Sequence, residues 1–287
     1  MDSALEQVEG AGGNIDGRMN NSIAGSRDAA VRFDDLGHAY HPGRWVFRNY
    51  AARIERGRVF AVLGPNGRGK STLLHLLLRD MPPTEGTIEV KGSAAFVPQL
   101  FDVSFDYSAI DMVLMGRARQ VGLFSQPSRL DREAALAALD RFRIGHFADS
   151  PFHELSGGER QLVIFARALV SESDILFLDE PTSSLDLRNQ ALVLDWIRRL
   201  SRDDGLTIVF TTHHPHHVSA VADDVFLMME QGCICGPSDS VLTETNLTAL
   251  YGVPVKRVSF VHDGRTIETI APVLDSAQLS APPQDPA

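Results

Sequence analysis

Three short stretches of this chain combine residue types that handle phosphate and water. Gly64-Pro65-Asn66-Gly67-Arg68-Gly69-Lys70-Ser71-Thr72 follows the spacing G-x-x-x-x-G-K-[ST], in which backbone N–H groups wrap the phosphates of a nucleotide. Gly64, Gly67 and Gly69 let the main chain come close without a Cβ in the way. Lys70 supplies a positive charge to the β- and γ-phosphates and Ser71 a hydroxyl ligand for Mg²⁺. Thr72 falls in the first helical turn, where the positive end of the dipole favours phosphate.

The second stretch, Ile175-Leu176-Phe177-Leu178-Asp179-Glu180, is an apolar strand ending in two carboxylates. Asp179 suits Mg²⁺, held directly or through water, and Glu180 suits a general base that polarises the attacking water. The third is Leu155-Ser156-Gly157-Gly158-Glu159-Arg160-Gln161. Ser156 and Glu159 have capping-box spacing, so a helix begins there, and Leu162, Phe165, Ala166 and Leu169 give it one buried face. A cap alone does not explain Gly157 and Gly158, each of which weakens a helix start by up to about 1 kcal/mol relative to Ala. They leave its N–H donors open to an anion.

The elements around these stretches read as an α/β fold. An apolar run over residues 58–63 feeds the Gly loop and a helix over 71–78 leaves it, the strand–loop–helix context a phosphate loop needs. A strand over 93–98 ends at Gln99. Helices over 109–119 and 130–142 follow, parted by Pro127 and Ser128, with Asp131 an early-helix carboxylate; they form a helical subdomain inserted into the core. Further on, helices over 158–171, 188–201 and 215–222 alternate with strands over 175–178, 207–211 and 224–229, which predicts a mostly parallel sheet covered on both faces. A half-buried strand is expected over 31–36 and a small β element over 253–270.

Composition narrows the function. With 44% hydrophobic and 22% charged residues the chain is ordinary globular material, and a net charge of −10 disfavours nucleic acid. No apolar run approaches the ~20 residues of a membrane span. Residues 1–30 read as a polar tail without a secretory h-region, Met19 is an alternative start, and 276–287 reads as a Pro-rich tail. Cys233 and Cys235 suit neither a zinc knuckle nor a disulfide framework and read as incidental thiols. His213, His214, His216 and His217 invite a metal reading, but helical spacing should splay the rings and no cysteine or carboxylate completes a set.

Taken together, the Gly loop, Leu155 to Gln161, and Asp179-Glu180 with the following Pro181-Thr182-Ser183-Ser184-Leu185-Asp186 resemble the motifs of ATP-binding-cassette (ABC) ATPases, in that family's order. The resemblance spans about residues 31–255 and implies a P-loop NTPase core with an antiparallel β subdomain. The inserted helical subdomain would then occupy about 100–155, and a C-terminal β extension 256–275. It implies ATP and Mg²⁺ as ligands. By the same resemblance Tyr40 stacks on adenine (Trp45 and Phe47 being rival aromatics), Gln99 senses Mg²⁺ and water, and His213 contacts the γ-phosphate. Ser156 and Gly158 meet a γ-phosphate held by a partner subunit, and Asp186 lies at that interface. Arg68 stands where the family more often has a small residue, and would add surface charge near the phosphates.

The segment from Asp111 to Ala138, with Met115-Gly116-Arg117, Gly122-Leu123-Phe124 and Asp131-Arg132-Glu133, resembles importers of iron–siderophore, haem, cobalamin and related chelates or oxyanions. Residues Phe105 to Ser108 depart from that pattern and leave the cargo open, molybdate-type included. The resemblance implies a homodimer of ATPase subunits on the cytoplasmic face of the inner membrane, working with integral-membrane permease subunits and an extracytoplasmic substrate-binding protein. An exporter subunit, or a soluble ABC ATPase not linked to transport, is the alternative. A plain P-loop kinase or GTPase does not explain Leu155 to Gln161.

Overall fold

The computed structural model describes residues 29–99, 106–121, 125–183 and 185–274. The tail expected over 1–30 (but for its last two residues), the alternative start Met19, Phe105, Gly122-Leu123-Phe124, Ser184 and the Pro-rich C-terminal tail fall outside these.

The first half of the chain forms β1 (Ala29–His41), β2 (Arg44–Glu55), β3 (Val59–Leu63), α1 (Lys70–Leu77), β4 (Glu85–Val90) and β5 (Ala94–Val97). Helices α2 (Ala109–Leu114), α3 (Ala118–Val121), α4 (Arg129–Arg141) and α5 (Gly157–Leu169) follow. Then come β6 (Ile175–Leu178), α6 (Leu187–Asp204), β7 (Thr207–Thr212), α7 (Pro215–Val221), β8 (Asp224–Met228) and β9 (Cys233–Pro237). Helices α8 (Ser238–Val241) and α9 (Glu244–Tyr251) and strands β10 (Val255–His262) and β11 (Arg265–Pro272) close the described chain.

Six strands make the central sheet in the order β5-β6-β7-β3-β8-β9, parallel except for β9. Every residue of β3, β6 and β7 is buried, as expected of parallel strands covered on both faces. Alternate side chains feed two cores. Leu63, Leu178 and Phe210 pack with α5 and α6 through Phe165, Val193 and Ile197. Val62, Phe177, Val209 and Phe226 pack with Leu73, Leu74 and Leu77 of α1 and with Phe33 and Tyr50 of a three-stranded antiparallel sheet, order β2-β1-β4. This is the α/β core that the sequence pattern predicted, with the antiparallel subdomain that the resemblance implied.

Several elements exceed that pattern. The strand expected over 31–36 runs the full length of β1, and β2, β4 and β9 were not anticipated. The β1–β2 pairing shifts register at several points, and each bulge flips the inside–outside alternation on which a strand reading depends. Only Ile88 and Val90 of β4 are apolar and half-buried. Cys233 and Cys235 sit half-buried on β9, and burial pushes both thiols up in pKa, which keeps them protonated and unreactive.

The helix expected over 109–119 also breaks. After α2 the chain makes one 3₁₀ turn, Met115–Arg117, before α3. Gly116 lies against the backbone of α5, where an added Cβ would stand 2.0 Å from the Arg167 carbonyl oxygen. Arg117 then donates to Asp131 Oδ1 at 2.6 Å and to Glu172 Oε1 at 2.8 Å, tying α4 and the end of α5 together. Asp131 closes a capping box on Ser128, and the Ser128 hydroxyl above all, with Arg117, pulls its carboxyl down to about 2. Among the described residues no helix is long and apolar enough to cross a membrane.

Gly116→Ala should therefore lower unfolding free energy by about 1–3 kcal/mol, the usual cost of overpacking, read as a shift in the urea midpoint. An unchanged midpoint would mean the α2–α5 contact yields without cost.

Candidate functional site

All four loops that could touch a nucleotide leave the carboxyl ends of adjacent parallel strands, where ligands bind in open α/β sheets. The Gly loop follows β3, Gln99 follows β5, Asp179-Glu180 follow β6, and His213 follows β7. They open onto a cleft of about 460 Å³ lined by Tyr40, Asn66, Gly67, Gly69, Lys70, Ser71, Thr72, Gln99 and Glu180, with Val46 at its side.

The loop's shape is set by backbone sterics. Gly67 and Gly69 have φ of 80° and 91°, left-handed values that side-chain-bearing residues rarely adopt. A Cβ on Gly69 would also stand 2.4 Å from Val46. Gly69 starts α1, so the free N–H groups of that helix face the cleft. Lys70 is buried, with its ammonium 3.0 Å from the Gly64 carbonyl, 3.2 Å from the Pro65 carbonyl and 3.0 Å from Glu180 Oε1. The cation thus sits between the loop and the acid.

Glu180 is the hub. Its Oε2 lies 3.1 Å from His213 Nδ1 and 3.5 Å from Gln99 Nε2, and Gln99 also donates to Ser183 Oγ at 3.1 Å. Its backbone has φ of 43°, a strained value for a non-glycine of the kind that persists where the surroundings over-determine it. One surrounding group is Thr211 at the end of β7, whose hydroxyl donates to Asp179 Oδ1 at 2.6 Å and accepts from the Glu180 N–H at 2.9 Å. Sequence reading missed Thr211. Its signal was a hydroxyl residue directly after the apolar run Ile208-Val209-Phe210, in a strand buried on both faces.

The rival aromatics separate. Tyr40 is 58% exposed at the cleft mouth with its hydroxyl 2.9 Å from Thr72 Oγ1. Phe47 is buried and stacked on Tyr50 with ring centroids 4.7 Å apart, and Trp45 carries the Arg48 guanidinium 4.1 Å above its ring. The Arg68 side chain does not line the cleft; it points toward Glu230, 3.9 Å away. Only its backbone belongs to the loop.

The histidine rings pack together rather than splay: His213 and His214 centroids are 3.9 Å apart, His214 and His217 4.8 Å. His213 and His214 precede α7, where helical spacing does not apply. Burial pushes His217 down to about 3, and its Nδ1 pairs with Thr182 Oγ1 at 3.1 Å. His214 and His216 are also lowered, mainly by burial. His214, His216 and His217 are therefore neutral at pH 7.

Ser156, Gly157, Gly158 and Asp186 lie outside this cleft. Ser156 caps α5, its Oγ donating to Glu159 Oε2 at 2.7 Å and accepting from the Glu159 N–H at 3.4 Å. An added Cβ on Gly157 would meet nothing within 4 Å, whereas one on Gly158 would stand 2.5 Å from Asn189 Nδ2. The first glycine keeps the helix end open and the second lets α6 approach. Asp186 caps α6, accepting from the Asn189 N–H at 2.8 Å, so the two helix ends are joined through Asn189.

Comparison with known proteins gives the chain's family. The family model described as ABC transporter matches residues 47–183. The molybdate import ATP-binding protein MolC of Haemophilus influenzae is 43% identical over 226 residues, 79% of this chain and 89% of that protein. A probable iron chelatin transport ATP-binding protein of Helicobacter pylori is 33% identical over 230 residues, 75% of this chain and 89% of its own length. A solved metal-chelate type ABC transporter in an inward-facing conformation is 40% identical with a TM-score of 0.84, covering 87% of this chain and all of that one. The chain belongs to the ATP-binding proteins of the ABC transporter family. It binds ATP and hydrolyses it as a transporter subunit.

Thr211→Val keeps the side-chain shape but removes the hydroxyl that Asp179 and Glu180 share. We expect unfolding free energy to fall by about 1–3 kcal/mol, the cost of stranding buried polar partners, with a lower ATPase kcat. A variant matching the parent in both would show that the hydroxyl is dispensable.

Proposed function

We propose that the chain is the ATPase subunit of an importer for a metal chelate or an oxyanion, working as a homodimer on a membrane permease. One observation carries the dimer. The open, glycine-flanked end of α5 stands outside the cleft built by the same chain's Gly loop, Glu180 and His213. A helix N-terminus shaped for an anion finds one when a second copy presents its nucleotide, and Ser156 and Gly158 then complete that site.

In the closed pair, Lys70 and the loop N–H groups bind the phosphates and Tyr40 stacks on the base. Glu180 takes the proton of the attacking water, with His213 and Gln99 fixing its carboxylate. Phosphate competes with Glu180 for the Lys70 ammonium, so nucleotide entry releases the carboxylate to act as a base. The donor set suits Mg²⁺: Ser71, Asp179 and Gln99 offer a few hard oxygens beside the cleft. That composition fits an ion ligated mostly by phosphate and water. Held there, Mg²⁺ would supply positive charge against the phosphates.

Importer function and cargo class rest on relatives. The Haemophilus influenzae protein is a molybdate import component, the Helicobacter pylori protein is an iron chelatin component, and the solved neighbour is of metal-chelate type. The helical subdomain of α2 to α4 is the surface proposed to meet the permease at the cytoplasmic face of the inner membrane, and an extracytoplasmic binding protein would deliver cargo to that complex.

Two measurements test this. Glu180→Gln should abolish turnover while ATP still drives dimerisation on size-exclusion chromatography; hydrolysis at the parent rate would remove Glu180 from its role. Reconstituted with its permease, the parent should accumulate molybdate or a labelled iron chelate in ATP-dependent fashion. Efflux of cargo in the same vesicles would overturn the importer reading.

A further inference from the structure

His213 is held from behind by a part of the chain that the ATPase motifs do not include. Tyr251, the last residue of α9, donates its hydroxyl to the His213 carbonyl oxygen at 2.9 Å. Burial pushes the phenol well up in pKa, so it remains a donor. Gly252 ends α9 with φ of 69°, and the Val255 N–H bonds Thr248 Oγ1 at 3.1 Å, locking the turn into β10. Glu244, at the start of α9, accepts from Lys256 Nζ at 2.7 Å and from the Arg257 N–H at 2.9 Å. The Arg257 guanidinium donates to the Leu242 carbonyl at 2.9 Å. Strand β11 lies along α7. Tyr251 therefore projects from a clamped helix rather than a free tail.

The other flank of the same loop is also tethered. The His214 N–H bonds Thr212 Oγ1 at 3.0 Å, the His217 N–H bonds the His214 carbonyl at 3.1 Å, and His217 reaches Thr182 beyond Glu180. His213 is thus left with its side chain on Glu180 and its carbonyl on Tyr251.

We infer that Tyr251 is a positioning residue for ATP hydrolysis, holding the His213 main chain so that its imidazole stands within hydrogen-bond distance of Glu180. Through it the unit of α9, β10 and β11 braces the catalytic loop, and displacement of that unit draws His213 away from the acid. The inference rests on the role proposed above for His213. A hydrogen bond of ordinary net strength sets the scale of the effect: its loss costs about two- to tenfold in rate.

Tyr251→Phe in the full chain, alone or with its permease, is the test, run beside His213→Ala. The expected result is a two- to tenfold lower kcat with KM for MgATP and ATP-driven dimerisation unchanged, at most a small fall in melting temperature, and a much larger kcat loss in His213→Ala. A merely structural tyrosine would instead lower the melting temperature or raise KM, and either pattern without a selective kcat loss overturns the brace. So does an unchanged kcat in Tyr251→Phe while His213→Ala is impaired. If His213→Ala hydrolyses ATP at the parent rate, the histidine's own role falls first and the brace falls with it.

Discussion

The site depends on the parallel pairing of β6, β7 and β3 in one register. Leu178 pairs with Phe210, and Leu63 with Thr212, so three loops leave the sheet at one level. Glu180 then meets His213 from the neighbouring strand on one side and Lys70 beyond it. A one-residue slip in any pair would turn each inward side chain to the opposite face. The buried strands on both faces make that slip costly, because each carries apolar residues that have no solvent face to move to.

Charge is handled economically along that edge. Asp179 and Glu180 are consecutive carboxylates at the end of a buried strand, and each has a different answer to desolvation. Asp179 takes the Thr211 hydroxyl, and Glu180 takes the Lys70 ammonium and the His213 ring. Neither acid is left unpaired, which burial would otherwise make expensive. The pairing also keeps Glu180 close to the groups it must work with. Strain at its backbone is sustained by the same contacts.

The helical subdomain shares an apolar core with α5, through Ile110, Val113 and Leu139, and specific links fix it there. Gly116 permits backbone contact with α5, and Arg117 bridges α4 to the end of that helix. Arg117 thus ties α4 to the C-terminal side of α5, while the N-terminal end of the same helix, capped by Ser156, is the one proposed to meet a second copy's nucleotide. Asn189 adds a second route, joining α5 to the cap of α6. Rigid helices linked at their ends suit a subunit that couples hydrolysis to motion elsewhere.

The chain's own order of residues determined the Gly loop, the acidic strand end and the capped helix, because each is a local pattern whose physics acts within a few residues. Glycine at positive φ, a serine three residues before a glutamate, and an apolar run ending in carboxylates are all legible without a fold. Strands β2 and β4 were not, since bulges and half-exposed faces erase the alternation that marks a strand. Nor was the separation of Tyr40, at the cleft, from buried Phe47 and from Trp45 beneath Arg48, which only packing reveals. Thr211, Asn189 and Tyr251 act on residues 31, 31 and 38 positions away. No spacing rule reaches that far; such contacts exist only once packing brings separate strands and helices together.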